Sequence, residues 1–182
     1  GIDTSNYRTS AAIYNAETGE WVNRGGLLTV PEGAIGLRQS DALFQHTVRL
    51  HEKIEALPQG EVRAIGVSTR PRAVEGSYMP CFLAGWSQAS CLAKILNVPL
   101  YEFSHQQGHI AASLWSAGRL ELMQTPHLAW HLSGGTTELL ERITAEAETP
   151  VADVMFGGGV ESLLAYEDYF MPCDAPRDAM LA

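Results

Sequence analysis

The sequence predicts an α/β protein with mixed sheets, and three observations predict it. Short strand-like apolar runs alternate along the chain with longer stretches of helical periodicity. Turns rich in glycine and hydroxyl groups follow strand-like segments at the start, the middle and the end of the chain. The composition, 46% hydrophobic and 18% charged over 182 residues, is that of a packed chain of one or two domains.

The opening 30 residues, GIDTSNYRTSAAIYNAETGEWVNRGGLLTV, read as a β-meander: a strand, a polar turn, a strand around SAAIYN, a turn at AETGE and a third strand. In the first turn Asp3 is followed by Thr4, Ser5 and Asn6, so a carboxylate and several short polar groups crowd one strand end. Such a turn is either a plain Asx or Ser/Thr turn, or a site that holds a hydrated cation through Asp3 and phosphate oxygens through amides and hydroxyls. Residues 40–57 carry a helical stripe of Leu43, Phe44, Thr47, Val48, Leu50, Ile54 and Leu57, with Ser40 or Asp41 as the N-cap. His46 and His51 are expected at its surface or boundary. VRAIGVST, 62–69, is a short strand, and RPRAVEGSYMPC is a loop dense in proline, glycine and charge. In that loop Arg70 and Arg72 either meet a substrate carboxylate or phosphate, or pair internally with Glu75. CFLAGWSQASCLAKILN is a helix whose small residues Ala84, Gly85, Ser87 and Ala89 allow close packing on a sheet, and VPLYEFS is the strand that delivers the chain to His105.

SHQQGHIAASL, residues 104–114, opens the next helix with His105 and His109 four residues apart. On a helix that spacing stacks the imidazoles roughly 6 Å apart on one face, which is metal-ligand spacing. Gly108 weakens the helix by up to about 1 kcal/mol, so 105–109 reads as its entrance. PHLAWHLSGGTTELLERI then has the signature of a hairpin, and its turn of Ser133, Gly134, Gly135, Thr136 and Thr137 mirrors the one at Asp3. MFGGGVESLL places Gly157, Gly158 and Gly159 between a strand and a helix, where amides favour an anionic or polar ligand. Together the three turns describe a cleft that clasps a nucleotide.

Other features narrow the class. No stretch approaches the roughly 20 apolar residues of a membrane-spanning helix, and no basic, apolar leader opens the chain, so a cytoplasmic protein is expected. Cys81, Cys91 and Cys173 are odd in number and lack any CxxC, which argues for buried thiols rather than a disulfide framework or a zinc knuckle. The net charge of −9 disfavours a broad nucleic-acid footprint. Trp86, Trp115 and Trp130 are expected in the core or an interface.

In the order GIDTS turn, meander, PLYEFSHQQGHI, HLSGGTTELL and MFGGGVESL, the chain resembles the TsaD-like family, also called the M22 glycoproteases, of the actin, Hsp70 and sugar-kinase superfamily. The resemblance is specific for SHxxGHI and SGGxTEL. It implies the actin-like ATPase (ribonuclease H-like) fold, two similar α/β domains with mixed sheets around a nucleotide cleft: an N-terminal subdomain over 1–100 and a second over 101–182. Only about 20 residues separate SGGTT from FGGG, where that fold has a helical subdomain. The second domain is therefore expected to be incomplete, with a segment missing between about 140 and 152.

The activity the resemblance implies is transfer of a threonylcarbamoyl group from an adenylate to N6 of an adenosine in tRNA, by this chain or a diverged paralogue. The alternatives are a non-catalytic scaffold or dimerisation partner of the same fold, and a metallopeptidase, as the M22 label suggests. Residue by residue, His105 and His109 match the family's metal histidines and would bind iron or zinc, with Asp178, or else Asp174, replacing the third ligand. ATP with magnesium, or an acyl-adenylate, would be held by Asp3, Thr4, Ser5, Leu132, Ser133, Gly134, Gly135, Thr136, Thr137, Gly157, Gly158 and Gly159. The implied partners are a nucleotide, tRNA through partner proteins, and a second subunit in a homo- or hetero-dimer, with no membrane. This chain departs from the family in four places. RPRAVEGSYMPCFLAG replaces a glycine loop, Thr136 a histidine and Leu163 an asparagine, and Pro176 falls where the metal aspartate stands, with Asp174 and Asp178 two residues to either side.

Overall fold

The computed structural model describes residues 1–5, 7–34 and 36–125, and the backbone alone of 129–132 and 154–157. The chain divides into two compact units, Gly1–Gly108 and His109–Ala182. The first unit carries a five-stranded mixed sheet flanked by helices, an α/β fold.

The meander forms from β1 (Ile2–Ser5), β2 (Arg8–Tyr14) and β3 (Trp21–Leu27), antiparallel in sequence, with Ser5 opposite Arg8 and Tyr14 opposite Trp21. The second turn closes because Asn15 Oδ1 accepts from the amides of Glu17 (2.9 Å) and Thr18 (3.3 Å), while Gly19 takes the positive φ of 75° that a side chain would resist. The chain then crosses through α1 (Gln39–Glu55) to β4 (Ile65–Arg70), and through α2 (Phe82–Leu96) to β5 (Leu100–Ser104). The strand order is β3-β2-β1-β4-β5, with β1, β4 and β5 parallel. Three strands therefore end at one edge of the sheet, the edge at which parallel sheets hold ligands.

Both crossing helices pack on one face. Leu50 of α1 and Ala89 and Ala93 of α2 share a core with Ile2, Ile65 and Val67. Successive strand residues alternate faces, so Ile2 and Thr4 turn toward the helices and Asp3 and Ser5 turn away. The seat of α2 is unusually close: the Thr4 hydroxyl donates to the Cys81 carbonyl (3.0 Å) and accepts from the Gly85 amide (3.1 Å). A Cβ on Gly85 would lie 2.8 Å from Thr4 Oγ1 and 3.2 Å from Ile2 Cγ2, so only glycine fits. The helix stops at Asn97, whose φ of 54° is the left-handed conformation that asparagine tolerates.

Three expectations are corrected here. The N-cap of α1 is Arg38, in extended conformation and without a side-chain cap, and Ser40 and Asp41 fall inside the first turn. His46 is not at a surface or boundary but fully buried, because Ala42, His46 and Leu50 stand one turn apart on the face that meets the sheet. Cys81 is buried as anticipated, whereas Cys91 is exposed on the outer face of α2.

In the second unit α3 (His105–Ser116), which begins in the first, runs on and is stopped at Gly118 (φ 65°), with Leu114 buried. A short 3-10 turn, Leu120–Gln124, follows. The strands β6 (Ala129–Leu132) and β7 (Val154–Gly157) are parallel partners in a separate sheet. The second strand of the anticipated hairpin, and the segment expected to be missing near 140–152, lie outside the described residues.

Candidate functional site

The site is built at the junction where β5 becomes α3. SHQQ is a capping box: Ser104 Oγ accepts from the Gln107 amide (3.1 Å), and Gln107 Oε1 accepts from the Ser104 amide (2.8 Å). The Gln106 amide donates to the Pro71 carbonyl (3.1 Å), which ties the loop after β4 to the same turn. These bonds start the helix at His105 and fix its ring at the mouth of the parallel strands. Serine followed three residues later by glutamine was the signal in the sequence, and it makes 105 the first helical position.

Asp3 projects from β1 into this junction. Its Oδ2 accepts from His105 Nδ1 (3.1 Å) and from Ser5 Oγ (2.9 Å), and its Oδ1 accepts from Ser68 Oγ on β4. A carboxylate offers about four lone-pair sites, so three are taken. Burial pushes the Asp3 carboxyl up. The hydrogen bond and charge of His105 and the two hydroxyls outweigh it and hold the group below the ordinary carboxylate value. Asp3 is thus a carboxylate at neutral pH, beside the positive end of α3. The His105 ring is braced by the buried Phe82, whose centroid lies 6.2 Å away at 54°. About a third of each partner remains open to solvent, 30% for Asp3 and 32% for His105, so a ligand can reach the pair.

Other anticipated residues fall as follows. Thr4 lies on the opposite face, wholly buried, with its hydroxyl committed to α2. His109 stands four residues after His105 on α3, exposed. Leu132 and Gly157 are register partners at the ends of β6 and β7, so these parallel strands finish side by side. Residues 133–137 and 158–159, which continue from those strands, and Asp178 lie outside the described residues, as do Asp174, Leu163, Pro176 and Cys173. Among the described residues no three His, Cys, Asp or Glu side chains gather closely enough to hold a metal ion. The described part thus contains two of the three anticipated ligands and no complete cage.

The arginine loop takes the form of a turn rather than an ion pair: the Arg72 amide donates to Ser77 Oγ (2.9 Å), Arg70 Nη1 to Thr69 Oγ1 (3.3 Å), and Glu75 pairs with neither arginine. Trp86 is 42% exposed, with Nε1 donating to Glu102 (2.9 Å), and Trp115 is 38% exposed, so neither is a core residue.

Beneath the site, on the helix side of the sheet, Thr9 Oγ1 is bonded to His46 Nδ1 (2.8 Å), and the Ser5 backbone also acts on the ring. Burial pushes this imidazole's pKa down, against the opposing pull of the Asp3 charge. Cys81 is pushed up to about 11, by burial first and then by Asp3, and is not a nucleophile. Among the described residues no helix is long and apolar enough to cross a membrane.

No family model matches the chain. A curated tRNA N6-adenosine threonylcarbamoyltransferase from Christiangramia forsetii (strain DSM 17595 / CGMCC 1.15422 / KT0803) is 38% identical over 63 residues. The aligned stretch is 35% of this chain and spans 18% of the length of that protein. This supports a TsaD-like relationship over about a third of the chain.

Proposed function

We propose that the chain is a TsaD-like protein of the actin-like fold that binds a nucleotide and a divalent metal, and that it transfers a carbamoyl-type acyl group from an adenylate to N6 of a tRNA adenosine or, as a diverged paralogue, to a related acceptor. The observation that carries this reading is the union of the first strand and the histidine helix: Asp3 and His105, 102 residues apart in sequence, share one hydrogen bond at the ends of the parallel strands. The adjacent ends of β6 and β7 support it, because two glycine-rich segments leave from neighbouring strand termini. The partial identity with the curated transferase supports it further.

In this reading His105, His109 and Asp178 hold iron or zinc, which orients the carbamoyl or phosphate oxygens and offsets charge as the adenylate departs. Residues 133–137 and 157–159 and the strand-end amides near Asp3 meet the phosphates. Recruitment of tRNA falls to partner proteins, since the chain's net charge is −9.

A second reading, a scaffold that keeps the fold without the chemistry, is favoured by Leu163, Pro176 and the replaced loop at RPRAVEGSYMP. Calorimetry with ATP and Mg²⁺, together with metal analysis of chain purified without chelator, separates the two. Stoichiometric metal that is lost in His105→Ala, with saturable ATP binding, is the expected result. Absence of both sinks the enzyme reading and leaves the scaffold.

A further inference from the structure

The two arginines that follow β4 have no counter-ion. Among the described residues no carboxylate lies within ion-pairing reach of Arg70 or Arg72, and Glu75, the acid nearest to them in sequence, meets neither. A guanidinium carries five N–H donors. That of Arg70 makes one hydrogen bond, from Nη1 to Thr69 Oγ1 at 3.3 Å, although the residue is half-buried. Part of its hydration is therefore lost with no acid in return.

The backbone beneath these side chains is fixed. Arg70 ends β4 at the register position of Ser104. Pro71, between the arginines, takes the Gln106 amide on its carbonyl (3.1 Å), the Arg72 amide donates to Ser77 Oγ (2.9 Å), and the Ser77 amide donates to the Val74 carbonyl (3.2 Å). Gly76 closes the turn at a φ of 74°. A held backbone carrying unspent donors lowers the ordering cost of recognition. The other charged and polar groups of this edge are already engaged: Asp3 with His105, Ser5 and Ser68, and the amides of Gln106 and Gln107 with Pro71 and Ser104.

We propose that Arg70, with Arg72 two residues on, is an anion site that takes the carboxylate or the phosphate of a substrate. Arg70 is the anchor, because its planar fork matches two oxygens of either group and its half-buried position strengthens the contact. The exposed Arg72 raises the local concentration of anions. An acyl-adenylate carries both groups, a phosphate on the nucleotide and, where the acyl part derives from an amino acid, a carboxylate. The inference deepens the function proposed above and rests on it only for the choice of the carboxylate probe.

The test follows the arginine Nε–H resonances of the ¹⁵N-labelled chain, in phosphate-free buffer at constant ionic strength, with Arg70 assigned by the signal lost in Arg70→Gln. One probe is inorganic phosphate; the other is N-carbamoylthreonine, which has a carboxylate and no phosphate. A saturable shift of the Arg70 signal with either probe is expected, and the probe that causes it names the group recognised. Affinity for that probe should fall by about 10- to 100-fold in Arg70→Gln, the range of a charge-assisted hydrogen bond. Arg70→Lys should restore only part of it, and Glu75→Gln should leave it unchanged.

An Arg70 signal that neither anion moves overturns the proposal, and the wild-type titration decides this even if a variant does not fold. Undiminished affinity in a folded Arg70→Gln chain also overturns it, and full affinity in Arg70→Lys overturns recognition by the fork. A chain that binds an anion at Arg70 but neither ATP nor metal overturns the proposed function and leaves this site standing.

Discussion

Gly85 is the position where one methyl group should do the most damage. In Gly85→Ala the new Cβ would sit 2.8 Å from Thr4 Oγ1, 3.2 Å from Ile2 Cγ2 and 3.3 Å from Thr4 Cγ2. Thr4 cannot rotate aside without giving up its bonds to Cys81 and Gly85, and rotation would only exchange its hydroxyl for its methyl. The helix must therefore lift from β1. Overpacking of this kind costs about 1–3 kcal/mol, and a buried hydrogen bond adds about 1 kcal/mol. The gain in helix propensity from glycine to alanine returns about 1 kcal/mol. The net expectation is a destabilisation of about 1–3 kcal/mol.

Gly108 on α3 is the matched control, since a Cβ there meets nothing within 4 Å. Gly108→Ala should stabilise by about 0.5–1 kcal/mol. Urea unfolding followed by tryptophan fluorescence measures both, as opposite shifts of midpoint at unchanged slope. A Gly85→Ala chain as stable as wild type would refute the claim that α2 sits on β1 backbone to side chain. The lifted helix also carries Phe82, so the same variant should broaden the His105 resonances.

Stability should have two separate acid limbs. The folded-state pKa of His46 is lowered, so the unfolded chain binds the extra proton, and stability should fall as pH drops below about 6.5, with His46→Leu flattening that slope. The pKa of Asp3 is also lowered. Its contribution is complete above about pH 4 and lost as pH falls further, a limb that Asp3→Asn should remove; because the Asp3 charge also holds the His46 pKa up, the same variant should steepen the limb below about pH 6.5. Ser104→Ala breaks the capping box and should cost about 1 kcal/mol, detected as faster amide exchange at Gln106 and Gln107. Cys91 should be alkylated in the native chain and Cys81 only on unfolding, as read by peptide mass spectrometry; native labelling of Cys81 would contradict its burial.

Much of the first unit was legible because its elements follow local rules. The meander announced itself through period-two alternation and an Asn-Ala-Glu-Thr-Gly turn, and both crossing helices through their stripes and small residues. Capping and burial were less legible. Ser40 and Asp41 satisfy the composition of an N-cap, yet the cap falls at Arg38, two or three residues earlier, because an extended Arg38 and an acidic first turn suffice. His46 was misplaced because a histidine in an apolar stripe looks like an interruption of it, and it takes the hydroxyl of Thr9 and the backbone of Ser5, on two neighbouring strands, to make the buried position tolerable. Cys91 lies on the exposed side of α2 and Cys81 is its buried N-cap, a distinction that the count of cysteines cannot make.

The candidate site divides the same way. Sequence alone determined that His105 and His109 stand at helical spacing on α3; it placed Asp3, Thr4 and Ser5 in a turn, whereas they lie within β1, opposite Ser10, Thr9 and Arg8. Helical spacing depends on neighbours within a few residues, where backbone periodicity rules. Tertiary structure decided which side chains meet. Pairing β4 in parallel with both β1 and β5 brings Asp3, Ser68 and His105 together, and the pleat sends Thr4 to the other face. A carboxylate's partners are set by strand order and alternation across the sheet, and neither is written in the spacing of residues along the chain.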